Sequence, residues 1–365
     1  MKFNINKEDF QSTLEIVAKG AAVRSTLPIL SGIHCITEGD MLTLEATNLD
    51  LSIKRSIPAF IEEEGEAVIP SKLLTDVVKS LPEAAVHVET TTETASIMCE
   101  SSSFSLKTFD PQDFPGFPEV EQTLAISFPF STFSHMVKRV ARVVSRDESR
   151  AILTGVLLEV HDGMLRMVAT DSYRLAVTDI DFTTPSEDFT AVISGSFMSD
   201  LAGLSDTGES LTLALAENQI VVTYDGTTFI NRRIEGNYPR YSQLIPETYE
   251  TCAIFNTKML IEAVKRTSLL SNKTAPVRFD VNKASQTVQI STASQDVGEA
   301  HETLGAKIQG EDEEIAFNFG YVIDGLSSIE TESVQLELQG SMKPGILRAT
   351  EQENFLYLIM PVRLS

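Results

Sequence analysis

The sequence predicts an α+β fold built from three repeated units, each with two helices lying on antiparallel sheet, and three observations carry that expectation. The first is self-similarity: Pro28-Ile29-Leu30-Ser31-Gly32-Ile33 matches Ala151-Ile152-Leu153-Thr154-Gly155-Val156, which sets Gly32 and Gly155 123 positions apart. Met41-Leu42 with Met164-Leu165, Ala46-Thr47 with Ala169-Thr170, and Phe10 with Phe133 keep the same offset. Such a repeat means one module used several times. The second is that helical and strand periodicities alternate inside each unit. The third is that the second half of the unit occurs three times: Ala67-Val68-Ile69 before Ser71 to Leu81, Ala191-Val192-Ile193 before Ser194 to Leu204, and Ala316-Phe317-Asn318 before Gly320 to Ile329.

Phe114-Pro115 and Tyr238-Pro239 close the first two units and Met360-Pro361 the third, so the expected domains are 1–121, 122–249 and 250–365. Helical spacing appears at Phe10, Leu14, Val17 and Ala18, at Leu73, Leu74, Val77, Val78 and Leu81, and at Met136, Val137, Val140, Val143 and Val144; these stripes are core faces. Ser71, Ser131 and Asn256 stand where helix N-caps belong, because a side-chain oxygen there satisfies backbone N–H groups that the helix leaves unpaired. Alternation predicts strands at Met41 to Ala46, Val86 to Val88, Leu211 to Leu215, Val221 to Tyr224, Val288 to Ile290 and Val334 to Leu338. Ala169-Thr170-Asp171-Ser172-Tyr173-Arg174-Leu175-Ala176 lies between two apolar runs, and its Thr-Asp-Ser is turn chemistry between strands. Pro115 to Glu121 and Tyr238 to Tyr249 read as ordered connectors, and the acidic clusters at Glu62 to Glu64 and Glu311 to Glu314 as solvated loops.

The net charge of −23 disfavours a surface coated with nucleic acid or anionic lipid. Cys35, Cys99 and Cys252 are odd in number and far apart, so they read as ordinary thiols. Met1-Lys2-Phe3-Asn4-Ile5-Asn6 lacks the apolar core of a signal peptide, and no run approaches the roughly 20 apolar residues of a membrane span; a cytoplasmic protein without membrane partners is expected. His34, His87, His135, His161 and His301 share no motif, and neither a Gly-x-Ser-x-Gly elbow, a His-Glu-x-x-His pair nor a phosphate-cradling Gly-x-x-x-x-Gly-Lys loop is present. No catalytic residue, metal site or cofactor is therefore expected.

The scarce cations concentrate on or after helices: Lys7, Lys19, Arg24, Lys72 and Lys79 in the first unit, Lys138, Arg139, Arg142, Arg146 and Arg150 in the second, Lys258, Lys265, Arg266 and Lys273 in the third. A helix that buries its apolar stripe turns its polar face outward, so these cations would share one side of each sheet. Units joined into a ring with helices inward would line a hole with positive charge, binding phosphate backbones without reading bases. A repeat scaffold with no DNA role is the competing reading, and it has no need of basic helices.

The octapeptide resembles the Ala-Thr-Asp-x-x-Arg-Leu-Ala signature of bacterial DNA polymerase sliding clamps, the beta subunit of the replicative polymerase III. Thr26-Leu27-Pro28-Ile29-Leu30, Glu235-Gly236-Asn237-Tyr238-Pro239 and Met360-Pro361-Val362-Arg363-Leu364 resemble further motifs of that family, so the likeness spans the chain. The resemblance implies three clamp domains per chain and a head-to-tail homodimer, a ring whose helices line a central hole around double-stranded DNA. It implies a peptide pocket from Leu153, Thr170, Tyr173, Arg174, Leu175, Pro239, Leu244, Leu358, Met360, Pro361, Val362 and Arg363, and DNA-facing cations at Arg24, Lys72, Lys138, Arg142, Arg146, Arg150 and Lys273. Phe104 and Leu106 of one chain would meet Leu269 and Leu270 of the next. The implied partners are the replicative polymerase alpha subunit, the clamp loader, translesion polymerases, mismatch repair proteins and ligase. Ala151 and Ile152 stand where some clamps carry paired tyrosines, and Ser101 and Ser103 flank Phe104 where some relatives place basic residues.

Overall fold

The computed structural model describes residues 1–121, 124–182, 188–270, 276–294, 298–351 and 354–363. Six α-helices are described: α1 Lys7–Val17, α2 Ser71–Ser80, α3 Phe130–Val140, α4 Gly195–Ala202, α5 Thr257–Thr267 and α6 Phe319–Leu326. The expected stripes are largely buried, except that in α2 Leu73 is 51% exposed and Val77 half-buried, because the helix phase turns them off the core side. Phe10, Leu14 and Val17 of α1, Leu74 and Val78 of α2, and Leu260, Ala263 and Val264 of α5 all face the core.

Two of the three expected caps fall differently. Asn256 caps α5 as anticipated, its Oδ1 accepting from Met259 N at 3.1 Å. Ser71, however, is the first helical residue of α2, behind an N-cap Pro70 with no side-chain bond, and Ser131 lies inside the first turn of α3. Proline ends the preceding strand in both cases and is itself compatible with entry into a helix, so the serine is displaced inward. Asn6, Ser194 and Asn318 cap α1, α4 and α6.

The fold is α+β, and all the anticipated strands are present within longer ones. Among the described residues they form four antiparallel sheets. One runs in the order Leu124–Pro129, Ser210–Leu215, Gln219–Tyr224, Thr227–Arg232, Leu51–Pro58, Met41–Thr47, Gly32–Glu38, Gly65–Pro70. Half its strands come from the first repeat and half from the second. A second runs Phe189–Ser194, Gly155–His161, Met164–Thr170, Arg174–Asp181, Phe355–Ile359, Gly345–Ala349, Ser333–Leu338, Thr251–Asn256, Lys307–Gln309, joining the second repeat to the third. The others, Phe60–Glu63, Lys2–Asn6, Ala85–Thr90, Thr94–Cys99, Ser102–Lys107 and Gly298–Gly305, Thr287–Ser294, Pro276–Asn282, Glu313–Asn318, each belong to one repeat. The compact units are accordingly two, Met1–Phe130 with Asp206–Arg233 and Ser131–Ser205 with Ile234–Ser365. The middle repeat divides its strands between them because backbone pairing across the two junctions makes continuous sheets.

The acidic clusters are only partly loops. Glu62 and Glu63 end one strand and Glu313 and Glu314 begin another. Cys35, Cys99 and Cys252 are free and buried, and burial pushes the Cys35 thiol up to about 12, so it packs as a small apolar group. Among the described residues no helix is long and apolar enough to cross a membrane.

Candidate functional site

The octapeptide is the tip of a hairpin. Met164–Thr170 pairs with Arg174–Asp181 in a register that puts Val168 opposite Val177 and Thr170 opposite Leu175. Between them Asp171 makes the turn its residue type favours, Oδ1 accepting from the backbone N–H of Tyr173 at 2.9 Å and of Arg174 at 3.1 Å. Thr170 Oγ1 donates to the Arg174 carbonyl at 2.7 Å. Ser172 takes a left-handed conformation, φ 81°.

Arg174 holds this tip to the helices behind it. Its Nε donates to Asp171 Oδ2 at 3.0 Å, one terminal nitrogen reaches Asp324 of α6 and the Tyr357 hydroxyl, and the other reaches the Arg142 carbonyl at 3.1 Å. The guanidinium also lies 4.4 Å over the Tyr321 ring. Burial works against its charge, but Tyr357, Asp324 and Asp171 outweigh that cost and hold it above the ordinary arginine pKa. Gly325 makes the approach of α6 possible, because a Cβ there would stand 2.5 Å from the Tyr357 ring. Arg174, expected as pocket lining, is buried, and these partners tie the hairpin tip to α6.

Beside the tip lies an apolar cluster of Leu157, Val168, Leu175, Val177, Val192, Tyr241, Ile346, Leu356 and Leu358, with Ile152, Ile234, Tyr238, Ile245 and Met360 packed on it half-buried. Leu356 and Leu358 arrive through pairing of Phe355–Ile359 with the hairpin. The chain then leaves along the tip, Met360 N donating to the Tyr173 carbonyl at 2.9 Å and Val362 N to the Ala316 carbonyl at 2.8 Å. The connector after the second repeat crosses the cluster, with Ile234 N on the Val192 carbonyl at 2.8 Å.

Of the expected pocket residues, the structure brings Leu175, Leu358 and Met360 into this cluster, places Tyr173 on the hairpin bonded to the Met360 backbone, and buries Thr170 opposite Leu175. Tyr173 and Leu244 expose large apolar surface, 60% and 46% of the residue, and Pro239 is exposed beside Tyr238. Pro361 and Val362 are half-buried and Arg363 exposed. Leu153 is buried, and its neighbour Ile152 makes the contact with the cluster. Sequence reasoning missed Val168, Val177, Leu157 and Ile346, whose signal is strand alternation on one face, and Asp324 and Tyr357, for which a single chain carries none.

Arg24, Lys72, Lys138, Arg142, Arg146 and Arg150 are all exposed, while Lys273 lies outside the described residues. Arg150 also donates to Ser172 Oγ at 3.0 Å, against the hairpin tip. Some helix cations are not on a free polar face: Lys7 is buried against Glu83 at 2.6 Å, Arg139 is buried over the Phe355 ring at 5.1 Å, and Arg266 pairs with Glu302. Phe104 and Leu106 sit on Ser102–Lys107, the outermost strand of its sheet, and Leu269 is 80% exposed.

This fold and site define a repeat-built protein, with sheets shared between neighbouring repeats and an apolar cluster beside a hairpin tip that hydrogen bonds and an ion pair fix to α6. Models of the DNA polymerase III beta subunit match along the chain, the N-terminal domain at residues 1–118, the central domain at 127–240 and the C-terminal domain at 242–363. The beta sliding clamp of Bacillus subtilis (strain 168) is 30% identical over 377 residues and that of Streptomyces coelicolor 30% over 378, covering all of both chains in each case. The crystal structure of the DNA polymerase sliding clamp from Bacillus subtilis superposes with a TM-score of 0.96 at 30% identity, and that of the Pseudomonas aeruginosa DnaN sliding clamp bound to griselimycin with 0.94 at 28%, each covering all of both chains. The chain belongs to the DNA polymerase III beta subunit family, the bacterial beta sliding clamps. It is a DNA sliding clamp, a non-catalytic processivity factor of the DNA polymerase III holoenzyme that works with DNA and polymerase.

Proposed function

We propose that the chain acts as three clamp domains, 1–121, 122–249 and 250–365, in a cytoplasmic head-to-tail dimer that encircles duplex DNA and captures short peptides of its partners at the apolar patch beside the hairpin. The observation that carries this reading is that patch: Tyr173 stands exposed on the hairpin tip that Arg174 fixes, its carbonyl bonded to Met360 N, and Leu244 stands exposed one residue from Ile245, which packs on the cluster of Leu175, Leu358 and Met360. A preformed apolar surface with a few fixed polar groups suits peptide capture, and Met360, Pro361, Val362 and Arg363 offer a pliable rim that accepts different sequences. The replicative polymerase alpha subunit, clamp loader, translesion polymerases, mismatch repair proteins and ligase would share this one site. Binding of griselimycin by the Pseudomonas aeruginosa clamp supports a ligand site in the family.

Ring closure would pair the exposed edge Ser102–Lys107 of one chain with the edge strand Gly298–Gly305 of the next, bringing Phe104 and Leu106 to Leu269 and Leu270. Two unpaired strand edges on one chain favour such closure, because pairing hides the open backbone groups. Arg24, Lys72, Lys138, Arg142, Arg146, Arg150 and Lys273 would supply only screened contacts to phosphates, so retention on DNA would be topological.

The test is a peptide titration paired with retention on DNA. Removing residues 360–365 should abolish micromolar binding, on the order of −8 kcal/mol, while the protein still stays on closed circular DNA at salt that strips it from linear DNA. Unchanged peptide affinity would move the site elsewhere, and equal loss from circular and linear DNA would overturn encirclement.

A further inference from the structure

The two places where neighbouring repeats join their sheets fix the register of the junction that one chain leaves open. Phe3, Ile126 and Ala253 each stand four residues before the first helix of their repeat. The strand ladders lead from them through Val88, Leu213 and Leu336 to Phe104, Phe229 and Tyr357. On the other side of a junction, the first hairpin strand of each repeat starts opposite the residue before the second helix, Gly32 opposite Pro70, Gly155 opposite Ser194 and Pro276 opposite Asn318. From those pairs the ladders make Ile53, Ala176 and Ala300 equivalent, and two residues further on Arg55, Thr178 and Glu302. Phe229 faces Ile53 and Tyr357 faces Ala176, so both joined repeats use one register. Carried to the outermost strands Ser102–Lys107 and Gly298–Gly305, it sets Phe104 of one chain opposite Ala300 of the next and Ser102 opposite Glu302.

The first junction is clamped at this last position. One terminal nitrogen of Arg55 donates to the Asp225 carbonyl at 2.8 Å, to its carboxylate at 3.0 Å and to Thr227 Oγ1 at 2.8 Å, and the other to the same carboxylate at 3.0 Å. Asp225 opens a two-residue turn closed by Tyr224 and Thr227, with φ 47°, and Glu100 opens the matching turn closed by Cys99 and Ser102, with φ 50°. Glu100 and Glu302 are thus the counterparts of Asp225 and Arg55. Arg266 of α5 donates to Glu302, Nε at 3.0 Å, and keeps that carboxyl below its ordinary pKa and ionised. The same guanidinium lies 3.8 Å from Glu262, so two carboxylates already share it.

We propose that the junction between two copies of this chain brings Glu100 of one against Glu302 of the other, a like-charge contact where the first junction has the Arg55–Asp225 ion pair. The inference rests on the ring reading above. Strand pairing and the apolar contact of Phe104 hold the junction, and the facing carboxylates work against them, so this chain's dimer is tightened by screening or by a cation at either position.

The experiment measures dimer dissociation of the full chain by sedimentation equilibrium at about 0.05 M and about 0.5 M salt, between which the Debye length falls from about 14 Å to about 4 Å. At low salt Glu100→Gln should lower the dissociation constant about fivefold, because each exposed contact is weak but a closed dimer has two of them. It should also remove most of the tightening by salt, whereas Glu119→Gln, the same loss of charge on the exposed connector, should do neither. Glu100→Arg and Glu302→Arg should each tighten the dimer about tenfold, and together they should loosen it. This cycle cancels whatever Glu302→Arg costs beside Arg266 within one chain, and Glu302→Gln takes its place, with a smaller coupling, if the arginine variant does not fold. Additive effects in a chain that still dimerises would overturn the like-charge contact and leave the ring reading standing. A chain that stays monomeric at every concentration ends the ring reading and this one with it.

Discussion

The second repeat's hairpin face and its counterpart in the first repeat are built on one backbone plan and carry opposite chemistry. At the offset of 123, Leu157, Val168 and Val177 correspond to His34, Glu45 and Lys54, and the cross-strand pairings agree: His34 faces Glu45 and Glu45 faces Lys54, as Leu157 faces Val168 and Val168 faces Val177. In the first repeat these positions form a polar network, with Lys54 Nζ 2.9 Å from Glu45 and His34 Nε2 2.9 Å from Glu66. The connector seals it, Phe114 lying on His34 with ring centroids 5.0 Å apart and Phe117 under Lys54. The same connector position in the second repeat crosses an apolar cluster and leaves Tyr173 and Leu244 exposed beside it. Duplicated geometry thus yields one polar and one apolar face, each crossed by its connector, with His34 and Glu45 buried as Leu157, Val168 and Val177 are, and three side chains make much of the difference in chemistry.

Exchanging those side chains is the largest perturbation. Val168→Glu with Val177→Lys writes the first repeat's pair into the second, where Ile234 and Tyr238 cover it. Burying this pair without the His34 partner should cost about 3 kcal/mol or more and reduce peptide affinity at least about 100-fold, the equivalent of about 2.7 kcal/mol. Adding Leu157→His should restore part of the stability and none of the binding, read by chemical denaturation and by anisotropy. Recovered binding in the triple variant would mean that the apolar face is not the docking surface.

Next comes the residue that fixes the second repeat's hairpin. Asp171 and Arg174 correspond to Asn48 and Leu51, and Asn48 Oδ1 accepts from Asp50 N at 3.0 Å and Leu51 N at 2.8 Å, the same turn without the ion pair. Arg174→Leu should destabilise the unit by about 3 kcal/mol, because Asp171 and Asp324 lose their shared cation. Asp171→Asn added to it should return about 1 kcal/mol. Equal losses in the two variants would show that Asp324 alone makes the pair matter.

The register between the repeats was legible in the sequence, and with it the helices, a minority of the strands and the hairpin turn. The contrast between the two faces was legible too, since applying the offset of 123 to Leu157, Val168 and Val177 exposes it, although the motif alone drew attention to Leu175. Sharing of sheets was not. The pairing of Arg174–Asp181 with Phe355–Ile359 spans most of two repeats, and the apolar alternation of either strand is satisfied by any neighbour. Arg139 and Lys138 show the same limit at the scale of one residue. Adjacent cations on one helix point to different faces, so Arg139 goes under Phe355 while Lys138 stays in solvent, and only the helix phase decides.

Acid should distinguish the faces by a smaller amount. Burial raises the Glu45 pKa, but hydrogen bonds from His34 and Lys54 more than offset it and hold the carboxyl below its ordinary value of 4.5. A carboxyl whose folded pKa is lowered stabilises the fold fully above the unfolded value and loses that contribution as pH falls through the folded one. Glu45→Gln should therefore flatten the acid limb of the first unit's unfolding curve below about pH 4.5, whereas the apolar second face has no such term at Val168. An unchanged acid limb would show that Glu45 titrates alike in both states.

The smallest effect lies at the turn tips, where Leu49 and Ser172 both hold positive φ, 77° and 81°. Each backbone N–H donates to the preceding threonine hydroxyl, Leu49 to Thr47 at 3.0 Å and Ser172 to Thr170 at 3.1 Å, so the conformation belongs to the turn and not to the side chain. A leucine pays a steric cost there that asparagine largely escapes. Leu49 is 56% exposed, with little packing to lose, and Leu49→Asn should stabilise the first unit by about 0.5 kcal/mol. Ser172→Asn should gain less, because the serine hydroxyl accepts the Arg150 bond at 3.0 Å and an exposed charge-assisted contact of that kind is worth a few tenths of a kcal/mol. Matched gains at the two tips, measured as shifts in denaturant midpoint, would mean that Arg150 does not hold Ser172 in solution and is free to leave the tip for a phosphate.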